Sequence, residues 1–274
     1  MDHKRPVYFI SDRTGITAET LGHTLLTQFD DSEFKQMTLP FINSTDKART
    51  TVEYVNHAAK TSGLRPIIFS TTVSDEIRAV LRTADALFLD LFDTFIGPIE
   101  QELHVRSSHT VGRAHGVADA GSYKARMEAM NYALHHDDGQ TVKDYDRAEV
   151  IIVAPSRCGK TPTCIYMAMQ HGVFAANYPL TEDDLEKARL PAALLWHQAK
   201  LYGLTSEAER LNQVRNERRP GSKYASLHQV GFELRQAEQL YARNNIPFVN
   251  SANMSIEEIA TLIMLEKKIE RRHF

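Results

Sequence analysis

The sequence reads as an α/β protein built in two parts with mostly parallel sheets. Three observations predict this. Short β-rich runs alternate with amphipathic segments, the pattern of βαβ units. That alternation breaks once and restarts near residues 140–147. After the restart, the apolar run Val150–Ala154 meets a small-residue turn ending in Gly159-Lys160-Thr161 and then a helix, the setting of a P-loop. The expected division is an N-terminal α/β domain over 1–143 and a C-terminal P-loop nucleotide-binding domain over 144–274, although one continuous sheet would give the same string.

Taken in order, "PVYFIS", "QMTLPFI", "RPIIFSTTV" and "ALFLDLF" read as strands, separated by helices in "AETLGHTLLTQF", "KARTTVEYVNHAAKT" and "SDEIRAVLRTA". Ser107–Ser122, rich in Gly, Ser and His without a sustained period, reads as a long loop, and loops of that length are often functional. "YKARMEAMNYALHHDDG" reads as a helix with Met127, Met130 or Asn131, and Leu134 along one face and a Gly stop. "AEVIIVAPS" is a buried strand, "KTPTCIYMAMQHG" a helix, and "VFAANYPL" a strand. A polar stretch follows, then the long helix "YASLHQVGFELRQAEQLYARNN" and the strand "IPFVNSA". The closing helix "SIEEIATLIMLEKKIERRHF" has a basic end suited to its C-terminal dipole. No internal sequence repeat is evident.

Composition narrows the function classes. Of the 274 residues 42% are hydrophobic and 24% charged, ordinary for a globular protein. With 32 basic against 35 acidic residues the net charge is -3, so no overall field favours nucleic acid or an anionic membrane. There is no signal-peptide pattern, and no stretch reaches the roughly 18 apolar residues of a membrane span. The expected location is the cytoplasm. A homo-oligomer is compatible with the sequence. Cys158 and Cys164 lie inside the turn and the helix after it, poor geometry for a disulfide, so they are expected as reduced thiols. Cys158 beside Lys160 is either a redox-sensitive thiol or a small residue filling a turn position.

The turn matches the P-loop pattern with Ala at the first position: Ala154, Pro155, Ser156, Arg157, Cys158, Gly159, Lys160, Thr161. In such a loop backbone N–H groups face phosphate oxygens, Lys160 reaches the terminal phosphates and Thr161 can ligate Mg²⁺. Pro162 suits the first helical turn. Pro155 removes one donor, and no apolar run with an Asp follows to supply a second Mg²⁺ ligand, so that carboxylate must come from elsewhere. In "HHDDG", Asp137 or Asp138 could take a proton from an attacking hydroxyl or hold Mg²⁺ through water; the same letters also make a solvated helix end without zinc-site spacing. "ISDRTGITAET" places Ser11, Asp12, Arg13, Thr14 and Gly15 past the first strand, either as a second phosphate-handling turn or as a helix cap with Thr14 or Thr17 accepting backbone bonds. His109 and His115 are candidates for phosphate contact. Arg215, Arg218, Arg219 and Lys223 are either simply exposed or able to meet a phosphate or an acidic partner.

The stretches "YFISDRTGITAETLGH", "YALHHDDG", "SRCGKTPTCIYMAMQHGVFAANYPL", "YASLHQV" and "IPFVNSANMSIEEIAT" together closely resemble the bacterial phosphoenolpyruvate synthase regulatory proteins, which are bifunctional serine/threonine kinase and pyrophosphorylase enzymes. They are also similar to the related regulators of pyruvate, phosphate dikinase. The likeness spans nearly the whole chain, and Thr-Pro-Thr directly after Lys160, joined to "ANYPL", is no general P-loop feature. The family usually has Gly where this chain has Ala154. The resemblance implies that ADP phosphorylates a threonine of the target enzyme beside its catalytic phosphohistidine, and that inorganic phosphate reverses this with release of pyrophosphate. It implies catalytic roles for Lys160, Arg157 and Asp138 or Asp137, with Thr161 on Mg²⁺ and the Ser11–Gly15 turn on phosphate or the target segment. "SRCGKTPT" and "KYAS" incline the reading to phosphoenolpyruvate synthase as the target. A small-molecule P-loop kinase or ATPase and a nucleotide-sensing regulator without chemistry are the competing readings.

Overall fold

A computed structural model describes residues 4–108, 120–187, 189–270 and 272. The chain falls into two compact units, Met1–Gly116 and Val117–Phe274. In the first, strands β1 (Arg5–Ile10), β2 (Phe34–Leu39), β3 (Ile67–Ser70) and β4 (Leu87–Asp90) alternate with helices α1 (Ile16–Leu26), α2 (Thr45–Ser62), α3 (Asp75–Leu81) and α4 (Asp93–Leu103). The four strands form a parallel sheet of order β2-β1-β3-β4. Period-two alternation makes β1 a two-sided wall. Val7 and Phe9 pack with Ala18 and Leu26 of α1, whereas Tyr8 and Ile10 pack with Val55 of α2 and Ile77 and Leu81 of α3. Gly22 lets α1 lie on the sheet, since a Cβ there would sit 2.5 Å from the Phe9 ring.

The second unit repeats the arrangement. It opens with α5 (Ala120–His135), and β5 (Val150–Ala154), β6 (Ala175–Pro179), β7 (Leu201–Thr205) and β8 (Phe248–Asn250) form a parallel sheet of order β6-β5-β7-β8. Helices α6 (Lys160–His171), α7 (Glu182–Lys187), α8 (Ala208–Arg218), α9 (Leu227–Arg243) and α10 (Ile256–Glu266) complete it. One core joins Val150, Ile152, Tyr202 and Leu204 to α5, α6 and α10; the other joins Ile151, Val153 and Leu201 to Ala237, Leu240 and Tyr241 of α9. In each sheet the chain's first strand has the second strand on one side and the third on the other. Open α/β sheets bind ligands at the carboxyl ends of the strands where the order reverses in this way, here β1 and β5.

Several sequence expectations change. The seam expected at 143/144 falls inside the second unit, because Ala129 and Ala133 of α5 pack into the core beneath β5 and α6. Those alanines, with Tyr132, form the buried face of α5; Met127 and Leu134 are exposed, since small residues allow the closer helix approach. The polar stretch after β6 contains α7, a 3-10 segment at Ala192–Lys200, β7 and α8. β7 is hidden in the sequence because "LYGLT" is short and contains Gly203. That glycine is required. A Cβ there would lie 2.7 Å from the Tyr241 ring and 2.8 Å from Phe248 Cβ. Gly203→Ala is therefore expected to cost about 1–3 kcal/mol, read as a lowered urea midpoint. α10 ends at Glu266 with no basic residue in its last turn; Lys267 and Lys268 follow it rather than cap its dipole from within. His109 and His115, with most of the expected Ser107–Ser122 loop, lie outside the described residues, and α5 begins at Ala120.

Candidate functional site

The turn after β5 gathers the strongest candidates. Arg157 (φ 74°) and Gly159 (φ 92°) both adopt the left-handed region, which folds the chain sharply from strand into helix. Gly159 is the N-cap of α6 and supplies no side-chain cap, so the first-turn N–H groups are left for a ligand or water. Lys160, the first residue of α6, is only 5% exposed. Its Nζ donates to the Pro155 carbonyl at 3.2 Å and lies 3.8 Å from Asp138 Oδ1. Burial lowers its pKa, opposed by the charges of Asp138 and Asp137 among others. A buried lysine whose facing carboxylate is exposed and 3.8 Å away is only partly compensated, and an incoming anion relieves that deficit.

The carboxylates come from the turn after α5. Asp137 Oδ1 accepts from Thr161 Oγ1 at 2.5 Å and from Asn177 Nδ2 at 2.7 Å, and its Oδ2 makes no hydrogen bond among the described residues. Asn177, fully buried on β6, also accepts from the Asp138 amide at 2.9 Å. This holds Asp138 in the left-handed region (φ 47°) with its side chain 62% exposed beside Lys160. The His136 ring, stacked on Tyr132, bridges the carbonyls of Tyr132 (2.8 Å) and Lys143 (2.7 Å) and closes the turn from behind. "HHDDG" is thus a helix end solvated only in part, with His136 buried and His135 and Asp138 exposed. α5 stops at His135, and the next residues are pinned to β6 and α6.

Other residues shape the turn from below. Arg215, fully buried, donates from Nη2 to the Ser156 carbonyl (3.0 Å) and to Glu233 (2.6 Å), and from Nη1 to the Tyr224 carbonyl (3.0 Å). It is therefore an anchor for the turn and no contact for an external phosphate, a correction to the reading of its basic cluster. Ser156 Oγ hydrogen-bonds Tyr224 at 2.8 Å, and Ser251 Oγ donates to the Cys158 carbonyl at 3.1 Å. Cys158 fills the turn: it is buried, and desolvation pushes its thiol up to about 11, which removes the thiolate a redox sensor needs. Asn177, Tyr224, Glu233 and Ser251 were not singled out from sequence. For Asn177 the signal is present in the sequence, a lone amide inside the short strand "AANYP".

The Ser11–Gly15 turn occupies the matching place after β1. Ser11 and Asp12 are buried; Ser11 Oγ accepts from the Arg13 amide (3.1 Å) and Asp12 Oδ2 from the Val73 amide (3.0 Å). Gly15 (φ 82°) is the N-cap of α1 and makes no side-chain cap, so neither Thr14 nor Thr17 caps this helix. A cavity of about 380 Å³ opens here, lined by Asp12, Arg13, Phe41, Asn43, Ser74 and Ile77.

A strand-end turn with an uncapped helix start, a buried lysine and two carboxylates on its flank defines a class of α/β protein suited to handling phosphate groups. The chain belongs to the kinase/pyrophosphorylase family, whose model it matches over residues 7–264. It is 57% identical over 269 residues, covering 98% of both chains, to a protein of Alkalilimnicola ehrlichii provisionally named phosphoenolpyruvate synthase regulatory protein. Proteins with the same name from Pseudomonas fluorescens (54%) and Pseudomonas putida (52%) match over 98% of this chain and 99% of theirs. No helix among the described residues is long and apolar enough to cross a membrane.

Proposed function

We propose that this protein is a regulator of phosphoenolpyruvate synthase that acts in both directions, as an ADP-dependent serine/threonine kinase and a phosphate-dependent pyrophosphorylase. The observation that carries the reading is the convergence of Asp137 and Asp138 on Thr161 and Lys160, from segments more than twenty positions apart in sequence. The 154–161 turn acts as a P-loop, with Ala154, Pro155, Ser156, Arg157, Cys158 and Gly159 forming the cradle for the two phosphates of ADP. Thr161 Oγ1 and Asp137 are hard oxygen donors that fit Mg²⁺, and among the described residues no cluster of three or more His, Cys, Asp or Glu competes for a metal. When bound, Mg²⁺ supplies charge neutralisation at the phosphate oxygens.

In the forward direction the threonine hydroxyl attacks the β-phosphorus of ADP, the bond from that phosphorus to the bridging oxygen breaks, and AMP leaves. Asp138 takes the hydroxyl proton, Lys160 balances the charge on the moving phosphoryl group, and Arg157 contacts its oxygens. In the other direction an oxygen of inorganic phosphate attacks the phosphothreonine phosphorus, the bond from that phosphorus to the threonine oxygen breaks, the proton of the attacking hydrogen phosphate passes to the threonine oxygen, and the pyrophosphate so formed departs. Positioning and charge stabilisation are most of what phosphoryl transfer demands. The Ser11–Gly15 turn, with Asp12 and Thr14, holds phosphate or the target segment. The location that goes with this reading is the cytoplasm.

Mass spectrometry of phosphoenolpyruvate synthase in its phosphohistidine form, incubated with this protein, Mg²⁺ and either ADP or ATP, tests the reading. Phosphothreonine formed with ADP, then removed by phosphate with pyrophosphate released, is the expected result. No modified threonine on either the synthase or pyruvate, phosphate dikinase removes it. Asp137→Asn/Asp138→Asn is expected to lower both activities by about 10²-fold or more, the scale of a lost acid–base group. Retention of both activities rules out the carboxylate roles.

A further inference from the structure

Resting on the ADP reading above, we propose that the loops after β7 and β8 form the site for the nucleotide base, with Asn253 reading the purine edge and Glu207 orienting Asn253. The 154–161 turn follows β5, which has β6 on one side and β7 on the other. Asn177 lies on β6 and holds Asp137 and Asp138, so the groups that face a transferring phosphoryl are gathered on the β6 side. A diphosphate lying in the turn with its reacting end toward them must carry its nucleoside away on the other side, over the carboxyl ends of β7 and β8.

The chain there is built as one piece with the turn. Ser251, just past β8, donates its amide to the Thr205 carbonyl (2.9 Å) and has the single hydrogen of its Oγ within reach of the carbonyls of Cys158 (3.1 Å) and Thr205 (2.9 Å), which ties the β8 loop to the turn and to the end of β7. Asn250 is used internally, accepting from the Ala252 amide at 2.9 Å. Asn253 differs. It is exposed, its Nδ2 donates to Glu207 Oε1 at 3.2 Å, and its Oδ1 and second amide hydrogen have no partner among the described residues. Beside it Met254 is half-buried against the core and offers an apolar surface for a ring.

An amide presents one donor and one acceptor side by side, which matches the donor–acceptor edge of a purine. On their Watson–Crick edges adenine (N6–H donor, N1 acceptor) and guanine (O6 acceptor, N1–H donor) carry that pair in opposite order, so recognition depends on which way the amide faces. Glu207 accepts only, which holds the Asn253 nitrogen toward itself and prevents the flip that would fit the other base.

Calorimetric titration of the full chain with ADP, GDP and inorganic pyrophosphate tests this, because pyrophosphate fills the phosphate cradle and has no base. N253A is expected to weaken ADP binding by about 5- to 100-fold while pyrophosphate affinity stays within about two-fold, the range of one lost bidentate contact. E207Q, which frees the amide to flip, is expected to bring ADP and GDP affinities toward equality. The proposal is overturned if N253A binds ADP like the wild type, if ADP and pyrophosphate weaken together, or if the wild type does not prefer one purine. If the wild type binds neither ADP nor pyrophosphate, the ADP reading itself fails and takes this proposal with it.

Discussion

Lys160→Met is expected to lower phosphoryl transfer in both directions by about 10²–10³-fold or more, the scale set by removing one preorganised charge-stabilising group. The fold is expected to survive. Lys160 is 5% exposed and its pKa is lowered, first of all by burial, so the folded state carries the cost of keeping this amine out of water. Methionine fills a similar volume without that cost, and the variant should melt at or above the wild-type temperature. The pH dependence has a definite sign. Below the lowered folded pKa the charged lysine weighs fully on the native state; as pH rises through that value toward the ordinary lysine range, the native amine sheds its proton and the penalty fades. The stability advantage of K160M should therefore shrink with rising pH. Calorimetric melting at several pH values, run beside the transfer assay, checks both halves.

Arg215→Met is expected to give the largest stability loss of any single change near the site, about 3–5 kcal/mol, because it leaves Glu233 as an unpaired buried carboxylate. The Arg215–Glu233 pair is enclosed, with side chains 0% and 11% exposed, and lies 2.6 Å apart. Its guanidinium also stacks over Tyr224 at 4.3 Å and holds the Ser156 carbonyl, so its removal should loosen the turn as well as the fold. The expected readout is a melting temperature lowered by about 6–20 °C for a unit of this size, with weaker ADP binding at temperatures where the variant is still folded. Arg215→Met/Glu233→Leu should recover much of the melting temperature, since the stranded charge is gone, but not the ADP affinity, since the Ser156 carbonyl remains unanchored. A single variant that melts like the wild type would remove Arg215 from the support of the turn.

Legibility in the sequence tracked the range of the interaction. β1, α2, α6 and α9 could be read because their apolar periods and stops are local: Ser44 and Ser226 cap α2 and α9, and Gly63 and Gly172 end α2 and α6. β7 could not. Its assignment depends on Gly203 fitting beneath Tyr241 and on pairing with β5 and β8, contacts that no window of neighbouring residues reports. The domain seam misled for the same reason. α5 looks like the end of the first half until Ala129 and Ala133 are seen against the second sheet.

At the site, residue chemistry alone singles out Lys160 and Thr161 as a phosphate-binding candidate and Asp137 or Asp138 as a proton acceptor or Mg²⁺ ligand with a solvated helix end as the alternative, because a glycine-lysine-threonine turn between strand and helix and a pair of acids at a helix end are local patterns. It left open whether those acids had anything to do with that turn. Their meeting depends on Asn177, which sits 40 positions from Asp137 and reaches it only because β6 pairs beside β5. The same holds for Arg215. In sequence it is one of several cations in a polar run, and burial against Ser156, Tyr224 and Glu233 makes it a prop instead of a ligand contact. Backbone conformation and hydrophobic periodicity are written within a few residues of each position, so the chain declares its elements and its turn chemistry directly. Which side chains share a site depends on strand order and burial, and those arise only when distant segments pack.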